Sequence, residues 1–235
     1  MSRTKRILVW IGGVVFSLCL IFVVLITAFE IAAYSDYGFY EKEYEKYQVL
    51  SDVHMEMKDV MYVTREMMSF LKGDRENLIV DTVVDGQQRE FFNEREIAHM
   101  DDVRELFVAG MDMRSGALVI MLVIVLIAAF AKMDFRKILP KSYQYTSIGF
   151  AVLTGGVALL FATNFTKYFT IFHEMFFSND LWLLDPDTDL LINILPEGFF
   201  VDMAARIVII FVAILLILFA AATAARIVQK KKKIN

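Results

Sequence analysis

ILVWIGGVVFSLCLIFVVLITAF, from Ile7 to Phe29, is an unbroken apolar run without a charged side chain. A helix of about 20 such residues is long enough to cross the hydrocarbon core of a bilayer. The run is too long for the core of a signal peptide and lacks a small-residue cleavage site. It therefore predicts an uncleaved membrane anchor.

Three further apolar runs, at 115–131, 145–165 and 204–225, have a similar length. The 235 residues are 57% hydrophobic, which is typical of a small polytopic membrane protein and too apolar for a soluble domain. We therefore expect an all-α membrane protein with four transmembrane helices. The single cysteine, Cys19, lies inside the first run, which excludes an intramolecular disulfide and a cysteine metal cluster.

The basic residues predict the orientation in the membrane. The segments 1–6, 132–144 and 226–235 together carry twelve Lys and Arg residues and one acid, Asp134, whereas the rest of the chain carries 12 cations and 27 acids. Because cytoplasmic segments are enriched in Lys and Arg, both termini and the 132–144 loop should be cytoplasmic. The basic tail is then an anchor on anionic lipid rather than a nucleic-acid site.

The first outer segment, 30–114, predicts a small, mainly helical extracytoplasmic cap. Its start is rich in tyrosine, including Tyr40 and Tyr44, which is typical of an aromatic belt at the headgroup level. Apolar residues then recur at threes and fours from about 41 to 71, which predicts a helix. Asp85-Gly86 between two strand-like runs predicts a β-hairpin. Asn93 followed by Glu96 predicts the capped start of another helix.

The second outer segment, 166–203, contains FHEMFFSNDLWLLDPDTDLLINILPEGFF, from Phe172 to Phe200. These residues include one His, one Trp, five Phe and six carboxylates. An ordinary solvated loop has no need of so many aromatic side chains. The composition favours a segment at the membrane–water interface that holds a ligand with both lipid and polar parts.

The three histidines, His54, His99 and His173, all lie in the outer segments. Neutral imidazole is a natural general base near pH 7, and two histidines that meet at the membrane edge are more suggestive than one. Asp102 lies on the same helix face as His99 and could fix its tautomer, although an exposed helix face of alternating charge is an equal alternative. His54 fits an ordinary surface position.

The sequence gives little support for a metal or a nucleotide cofactor. The HEMFF segment that begins at His173 lacks the second histidine of a zinc-protease motif, and no phosphate- or dinucleotide-binding motif is present. An enzyme acting outside the cytoplasm without an activated donor must catalyse a reaction that is downhill. We therefore expect neither a metal nor a cofactor.

Two motifs resemble those of the bacterial lipoprotein intramolecular transacylases. They are HM-x-DV, from His99 to Val103, and FHE-x-FF-x-N-x-x-W-x-LDP-x-TD-x-LI-x-x-LPE-x-FF, from Phe172 to Phe200. The four-span layout with an outer cap is similar as well, so the resemblance covers nearly the whole chain. It implies an enzyme of the bacterial cell membrane whose active site is at the outer face and whose substrates are diacylated membrane lipoproteins.

The resemblance implies transfer of the sn-2 acyl chain from the glyceryl ester to the α-amino group of the N-terminal cysteine, giving a lyso-form lipoprotein. It maps the two catalytic histidines to His99 and His173, one as base for the amine and the other as oxyanion stabiliser or acid. Which histidine has which role stays open.

Eight further residues complete the predicted site. Five aromatic residues are candidate walls of a confined substrate site, with interfacial anchoring as the alternative for each: Phe176, Phe177, Trp182, Phe199 and Phe200. Three carboxylates are candidates to orient the histidines or to bind the amine: Asp102, Asp185 and Glu197.

Other functions remain compatible with the residues alone. A non-catalytic membrane subunit that binds lipid or lipoprotein would tolerate loss of both histidines. A metal-dependent membrane hydrolase would use His99, His173 and a carboxylate as ligands and would be inhibited by chelators. An N-acyltransferase with a separate phospholipid donor would give a triacyl product, but the chain is short for such an enzyme and has no evident thiol nucleophile.

Overall fold

The computed structural model describes residues 3–234, so residues 1, 2 and 235 of the predicted terminal segments lie outside the described residues. Over this range the chain forms nine helices and one β-hairpin. In chain order they are α1 (Arg3–Tyr34), α2 (Gly38–Lys46), α3 (Val49–Val53), α4 (Met57–Lys72), β1 (Asp81–Val84), β2 (Gln87–Glu90), α5 (Glu94–Phe130), α6 (Phe135–Thr163), α7 (Phe165–Phe176), α8 (Leu190–Ile194) and α9 (Glu197–Ile234).

Four helices, α1, α5, α6 and α9, are long and apolar enough to cross a membrane. This confirms the predicted class, an all-α membrane protein with four such helices and a hairpin. Each helix begins before its apolar run. Helix α5 begins at Glu94, far before Ser115, and α6 begins at Phe135, inside the segment that the charge pattern assigned to a loop.

The chain divides into two compact units. One, here the membrane unit, comprises Met1–Phe29, Met111–Thr163 and Ile207–Asn235. The other, here the cap unit, comprises Glu30–Gly110 and Asn164–Arg206. All the residues predicted to act on a substrate belong to the cap unit.

Close approach and polar contacts hold the membrane unit together. A Cβ on Gly13 would lie 2.5 Å from the Ser142 hydroxyl oxygen, so glycine is what allows α1 and α6 to meet there. Gln144 donates to the Thr223 hydroxyl at 2.7 Å, and the Tyr143 hydroxyl donates to the Leu215 carbonyl at 3.1 Å, joining α6 to α9. Small residues and interhelical hydrogen bonds are the usual means by which membrane helices associate.

The helix predicted from about 41 to 71 is divided into three in the structure. Gln48, the N-cap of α3, and His54, its C-cap, adopt left-handed backbone conformations, with φ of 57° and 51°. They separate α3 from α2 and from α4. The threefold and fourfold apolar spacing is real in α4, where it buries residues such as Val60, Val63 and Met67. Periodicity alone did not reveal the two turns because the apolar positions continue across them.

The predicted hairpin is present. Strands β1 and β2 are antiparallel, with Val84 opposite Gln87. Asp85 and Gly86 have φ of 53° and 72°, the positive values that a tight hairpin turn requires and that Asp and Gly tolerate. The sequence signal and the backbone geometry therefore agree.

The interpretation of Tyr40 and Tyr44 as headgroup-belt residues is wrong, because both are fully buried inside the cap unit. The Tyr40 hydroxyl donates to the Ala33 carbonyl at 2.9 Å, and the Tyr44 hydroxyl bonds the Thr64 hydroxyl at 2.7 Å. Both rings contact Phe199, from the first turn of α9. Tyrosine can be buried in a core in this way when its hydroxyl group has a hydrogen-bond partner.

Candidate active site

The helix that carries His99 starts with a capping box. The Asn93 side-chain oxygen accepts from the Glu96 amide at 2.9 Å, and the Glu96 carboxylate accepts from the Asn93 amide at 2.6 Å. This reciprocal pair satisfies two of the amides that every helix N-terminus leaves without a partner. The predicted cap is therefore confirmed, and it fixes the start of α5 one turn before His99.

The same two residues also bind the N-terminal end of α8, at its cap residue Asp189 and its first turn. The second oxygen of Glu96 accepts from the Leu191 amide at 2.6 Å, and the Asn93 side-chain amide donates to Asp189 at 2.7 Å. Asp189 in turn accepts from the Asp185 amide at 2.7 Å. Two hydrogen bonds thus connect the start of α5 to a segment that is remote in sequence, and the third closes a turn within that segment.

His173 lies in the last turn of α7, a helix capped at its start by Asn164, whose side chain accepts from the Lys167 amide at 3.0 Å. The Nδ1 atom of His173 is 2.7 Å from the carbonyl oxygen of Phe169, one turn earlier. Only a protonated nitrogen can bond a carbonyl, so Nδ1 carries the hydrogen. In the neutral ring, Nε2 is then left with a free lone pair.

The structure brings His99 and His173 together. Their ring centroids are 6.1 Å apart with an angle of 38° between the planes, and each residue is only 7% exposed. Phe177 contacts both rings, at 5.5 Å from His99 and 5.6 Å from His173. The two histidines that the motifs singled out therefore share one buried aromatic environment.

Both imidazoles are neutral at pH 7. Burial lowers the pKa of His99 to about 4, with further lowering by His173 and Arg95 and partial opposition from the Asp102 carboxylate. Burial also lowers the pKa of His173, against the opposing effect of its hydrogen bond to Phe169. Desolvation penalises the charged form of a base, so the dominant cause is the same for both rings.

The Nδ1 atom of His99 is buried and has no hydrogen-bond partner among the described residues. Asp102, the predicted orienting carboxylate, instead accepts a hydrogen bond of 2.8 Å from the Asn179 side chain. Its effect on His99 in this structure is electrostatic, since it raises the pKa that burial lowers. An orienting role for Asp102 stays a prediction.

The five predicted wall residues occupy different positions. Trp182 packs on His173 at 5.0 Å, and its indole nitrogen donates to the Asn179 carbonyl at 3.0 Å. Phe177 is buried between the histidines, whereas Phe176 is 51% exposed beside Phe172.

The other two predicted walls lie on α9. Phe200 contacts Phe169, which itself lies 4.3 Å from His173. Phe199 contacts the buried tyrosines of the cap unit core, Tyr40 and Tyr44.

The other two predicted carboxylates have structural partners. Asp185 accepts from the amide of Asp187 at 3.0 Å and so shapes the turn that follows Trp182. Glu197, in the first turn of α9, accepts from the Thr166 hydroxyl at 2.7 Å and so joins α9 to the start of α7.

Sequence reasoning missed several residues of this environment. Phe169 could have been found, because it lies four residues before His173 on the same helix face. Asn179 and Asp189 could not, because they belong to an irregular loop whose contacts no periodicity predicts. Glu96 was assigned to a helix cap alone.

His54 lies away from this pair. It is 68% exposed by its side chain and faces Asp85 of the hairpin turn at 3.5 Å. Within residues 3–234, no three His, Cys, Asp or Glu side chains converge as metal ligands do.

The fold and the site define a four-span membrane protein with a pair of neutral, buried histidines. Such a pair can accept one proton and donate another while aromatic side chains keep water away. The family model of the lipoprotein intramolecular transacylase Lit matches residues 14–200, most of the chain. The chain belongs to the lipoprotein intramolecular transacylase family, and it is accordingly an acyltransferase.

Solved structures share the fold. A structure of the membrane integral lipoprotein intramolecular transacylase Lit from Bacillus cereus is similar with a TM-score of 0.77 and 19% identity, over 100% of both chains. Two further structures of that protein, with a histidine replaced by alanine or by arginine, give TM-scores of 0.75 and 0.74 at 18% identity. Both matches cover 99% of this chain, and they cover 98% and 97% of the alanine and arginine variants, respectively. No curated protein matches the sequence.

Proposed function

We propose that this protein moves the sn-2 acyl chain of a diacylglyceryl lipoprotein onto the α-amino group of its N-terminal cysteine. The C–N bond of an amide forms, the C–O bond of the ester breaks, and the glycerol oxygen leaves with a proton. The product is a lyso-form lipoprotein with an unchanged number of acyl chains. Ester becomes amide, so no cofactor and no second acyl donor are required.

The observation that carries this proposal is the histidine pair in its aromatic enclosure. The amine nucleophile, with a pKa near 8, must lose a proton, the ester carbonyl develops negative charge, and the leaving oxygen needs a proton. Two neutral imidazoles with ring centroids 6.1 Å apart can meet these needs around one small reacting centre. For the neutral amine, neither acid nor base then has to be supplied from water.

His173 is the better base of the two. Its Nδ1–H bond to the Phe169 carbonyl leaves the Nε2 lone pair to accept a proton. Its position in the last turn of α7 holds that nitrogen in one orientation, and Trp182 and Phe169 pack against the ring. In this assignment Nε2 of His173 takes the proton of the attacking amine.

His99 supplies the complementary hydrogen. A buried ring nitrogen without a partner is less costly as a lone pair than as an N–H group, so the buried Nδ1 favours the tautomer with hydrogen on Nε2. With a pKa of about 4, the ring does not take a second proton at pH 7. The two histidines therefore present opposite groups, a lone pair from His173 and an N–H from His99 for the oxyanion.

Confinement accounts for the remaining catalytic requirement. Amine and ester carbon are joined through a ring of about eight atoms, which closes rarely when the substrate is free. Holding reacting groups in one orientation can contribute several kcal/mol to a rate. Phe177 and Trp182, which contact the histidine rings, are the side chains best placed to restrict the substrate.

The location follows from the charge pattern. We place the protein in the bacterial cell membrane, with both termini in the cytoplasm and the histidine pair at the outer face, where lipoproteins are anchored. Reporter domains that are active only in the cytoplasm, fused to either terminus, should both be active. A silent reporter at one end would contradict the four-span orientation.

The deciding experiment is mass spectrometry of a synthetic diacylglyceryl lipopeptide incubated with the purified protein. We expect an unchanged mass, with fragment ions that place one acyl chain on nitrogen, and no change on addition of a chelator. His99→Ala and His173→Ala should abolish this transfer of the acyl chain to nitrogen, and the matched control His54→Ala should retain it. An unmodified peptide would refute the transferase, and inhibition by the chelator would favour the metal-dependent hydrolase.

A further inference from the structure

Glu96 is the most completely buried carboxylate among the described residues, with 1% of its surface exposed. Burial raises the pKa of its carboxyl, and the amides of Leu191 and Asn93 oppose this by donating to the charged form. Burying a carboxylate is costly unless its oxygens are hydrogen-bonded. Both oxygens of Glu96 accept from main-chain amides, and each bond measures 2.6 Å.

Helix capping explains only one of these two bonds. The bond to the Asn93 amide closes the capping box, but the bond to the Leu191 amide reaches a different part of the chain, 95 residues away. Asn93 behaves in the same way, because its oxygen caps α5 while its amide group donates to Asp189. Both capping residues therefore hold the start of α5 and the N-terminal end of α8 together.

These hydrogen bonds join the helix that carries His99 to the loop that packs against His173. His99 is one turn after Glu96 on the same face of α5. Trp182, which packs on His173 at 5.0 Å, belongs to the loop that Asp185, Asp189 and Leu191 close. Breaking the bond from Glu96 to Leu191 would let the Trp182 loop move relative to His99.

We propose that Glu96 is a positioning residue: by binding the Leu191 amide across the cap unit, it holds the Trp182 loop against helix α5 so that His99 and His173 face one reacting centre. This role rests on the proposed acyl transfer. Glu96 itself does not contact the reacting atoms. Its contribution is to the rate of transfer rather than to the binding of the substrate.

Glu96→Gln separates this role from simple capping. Glutamine serves well at the third position of a capping box, so a residue needed only for the cap should tolerate the change. A glutamine side chain has one acceptor oxygen, however, and its NH₂ group cannot accept from an amide. One of the two bonds must therefore be lost. The matched control is Glu94→Gln, an exposed carboxylate in the same helical turn.

Two measurements report the outcome. We expect Glu96→Gln to lower kcat for the diacyl lipopeptide by about 10- to 100-fold, as small misplacements of reacting groups do, with KM within about twofold of wild type. In a Trp10→Phe background, Trp182 is the remaining tryptophan, and its emission should shift to longer wavelength as the loop gains water. Glu94→Gln should change neither quantity.

A second variant covers the case in which Glu96→Gln does not fold. Asn93→Ser keeps a good capping oxygen but removes the amide that donates to Asp189. We expect it to lower kcat and shift the Trp182 emission in the same direction.

The Trp182 emission and the kinetics test the positioning role and the acyl transfer separately. A kcat within twofold of wild type and an unshifted emission in the folded variants would overturn the positioning role while leaving the transferase intact. If the wild-type protein transfers no acyl chain, the proposed function fails. The Trp182 emission then decides alone whether Glu96 holds the loop, and an unshifted spectrum overturns that role as well.

Discussion

Acidification should destabilise the protein in part through His99. The ring is buried and neutral, with a pKa of about 4 in the folded state, whereas an unfolded histidine has a pKa of about 6.5. Between these values the unfolded chain binds a proton that the folded chain does not. Stability must therefore fall as the pH drops through this window, and above pH 6.5 His99 contributes no pH dependence.

The size of this effect follows from the shift in pKa. One pKa unit corresponds to about 1.4 kcal/mol, so the full difference is about 3 kcal/mol, reached near pH 4. At pH 5 the unfolded state is already protonated and the folded state is not, which gives about 2 kcal/mol. Other ionisable groups also titrate over this range, so the prediction concerns a difference between two variants.

The assay compares wild type with His99→Gln, which cannot titrate. Unfolding free energies are measured by denaturant titration in detergent micelles at pH 7.5, 6 and 5. We expect wild type to lose about 2 kcal/mol relative to the variant between pH 7.5 and pH 5. His54→Gln, at the exposed histidine, is the control for substitution itself. A wild-type-minus-variant difference that stays constant over this range would refute a neutral, buried His99.

Two glycines allow close approach, and a third provides a control. A Cβ on Gly198 would overlap the Tyr47 ring, so Gly198→Ala should cost about 1–3 kcal/mol of unfolding free energy, and a Tyr47→Ala background should remove most of that cost. Gly13→Ala should cost a similar amount, because its Cβ would lie 2.5 Å from the Ser142 hydroxyl oxygen. Gly155→Ala, with nothing within 4 Å, should be neutral or more stable by up to about 1 kcal/mol through helix propensity. Denaturant titration in detergent measures all three, and equal effects at Gly13 and Gly155 would contradict the packing argument.

Local features of the fold were readable from the sequence because each depends on neighbouring residues. The run from Ile7 to Phe29 had the length of a span, Asp85-Gly86 had the chemistry of a tight turn, and Asn93 with Glu96 had the spacing of a capping box. The left-handed residues Gln48 and His54 escaped notice because neither is a glycine and the apolar pattern continues past them.

The site depended on contacts that no local pattern encodes. From spacing alone, Asp102 was as consistent with an exposed face of alternating charge as with a carboxylate that orients His99, and the motif resemblance mapped the catalytic pair to His99 and His173. The bond from Glu96 to Leu191 joins positions 95 residues apart. Tyr40 and Tyr44 were misassigned because a tyrosine-rich segment has the same composition in a headgroup belt and in a small aromatic core.

The hydrogen bond from His173 to the Phe169 carbonyl leaves the proposed base with one ring nitrogen, Nε2, that can exchange a proton. Its Nδ1 hydrogen is already donated within the helix, so a proton that arrives at Nε2 cannot be passed onward through the ring. It can leave only by the nitrogen that received it. In the proposed reaction the hydrogen removed from the amine is therefore the hydrogen available to the departing glycerol oxygen. For the neutral amine, the site would then pass one proton between two atoms of the same substrate, while the proton that the ammonium form gives up beforehand goes to water.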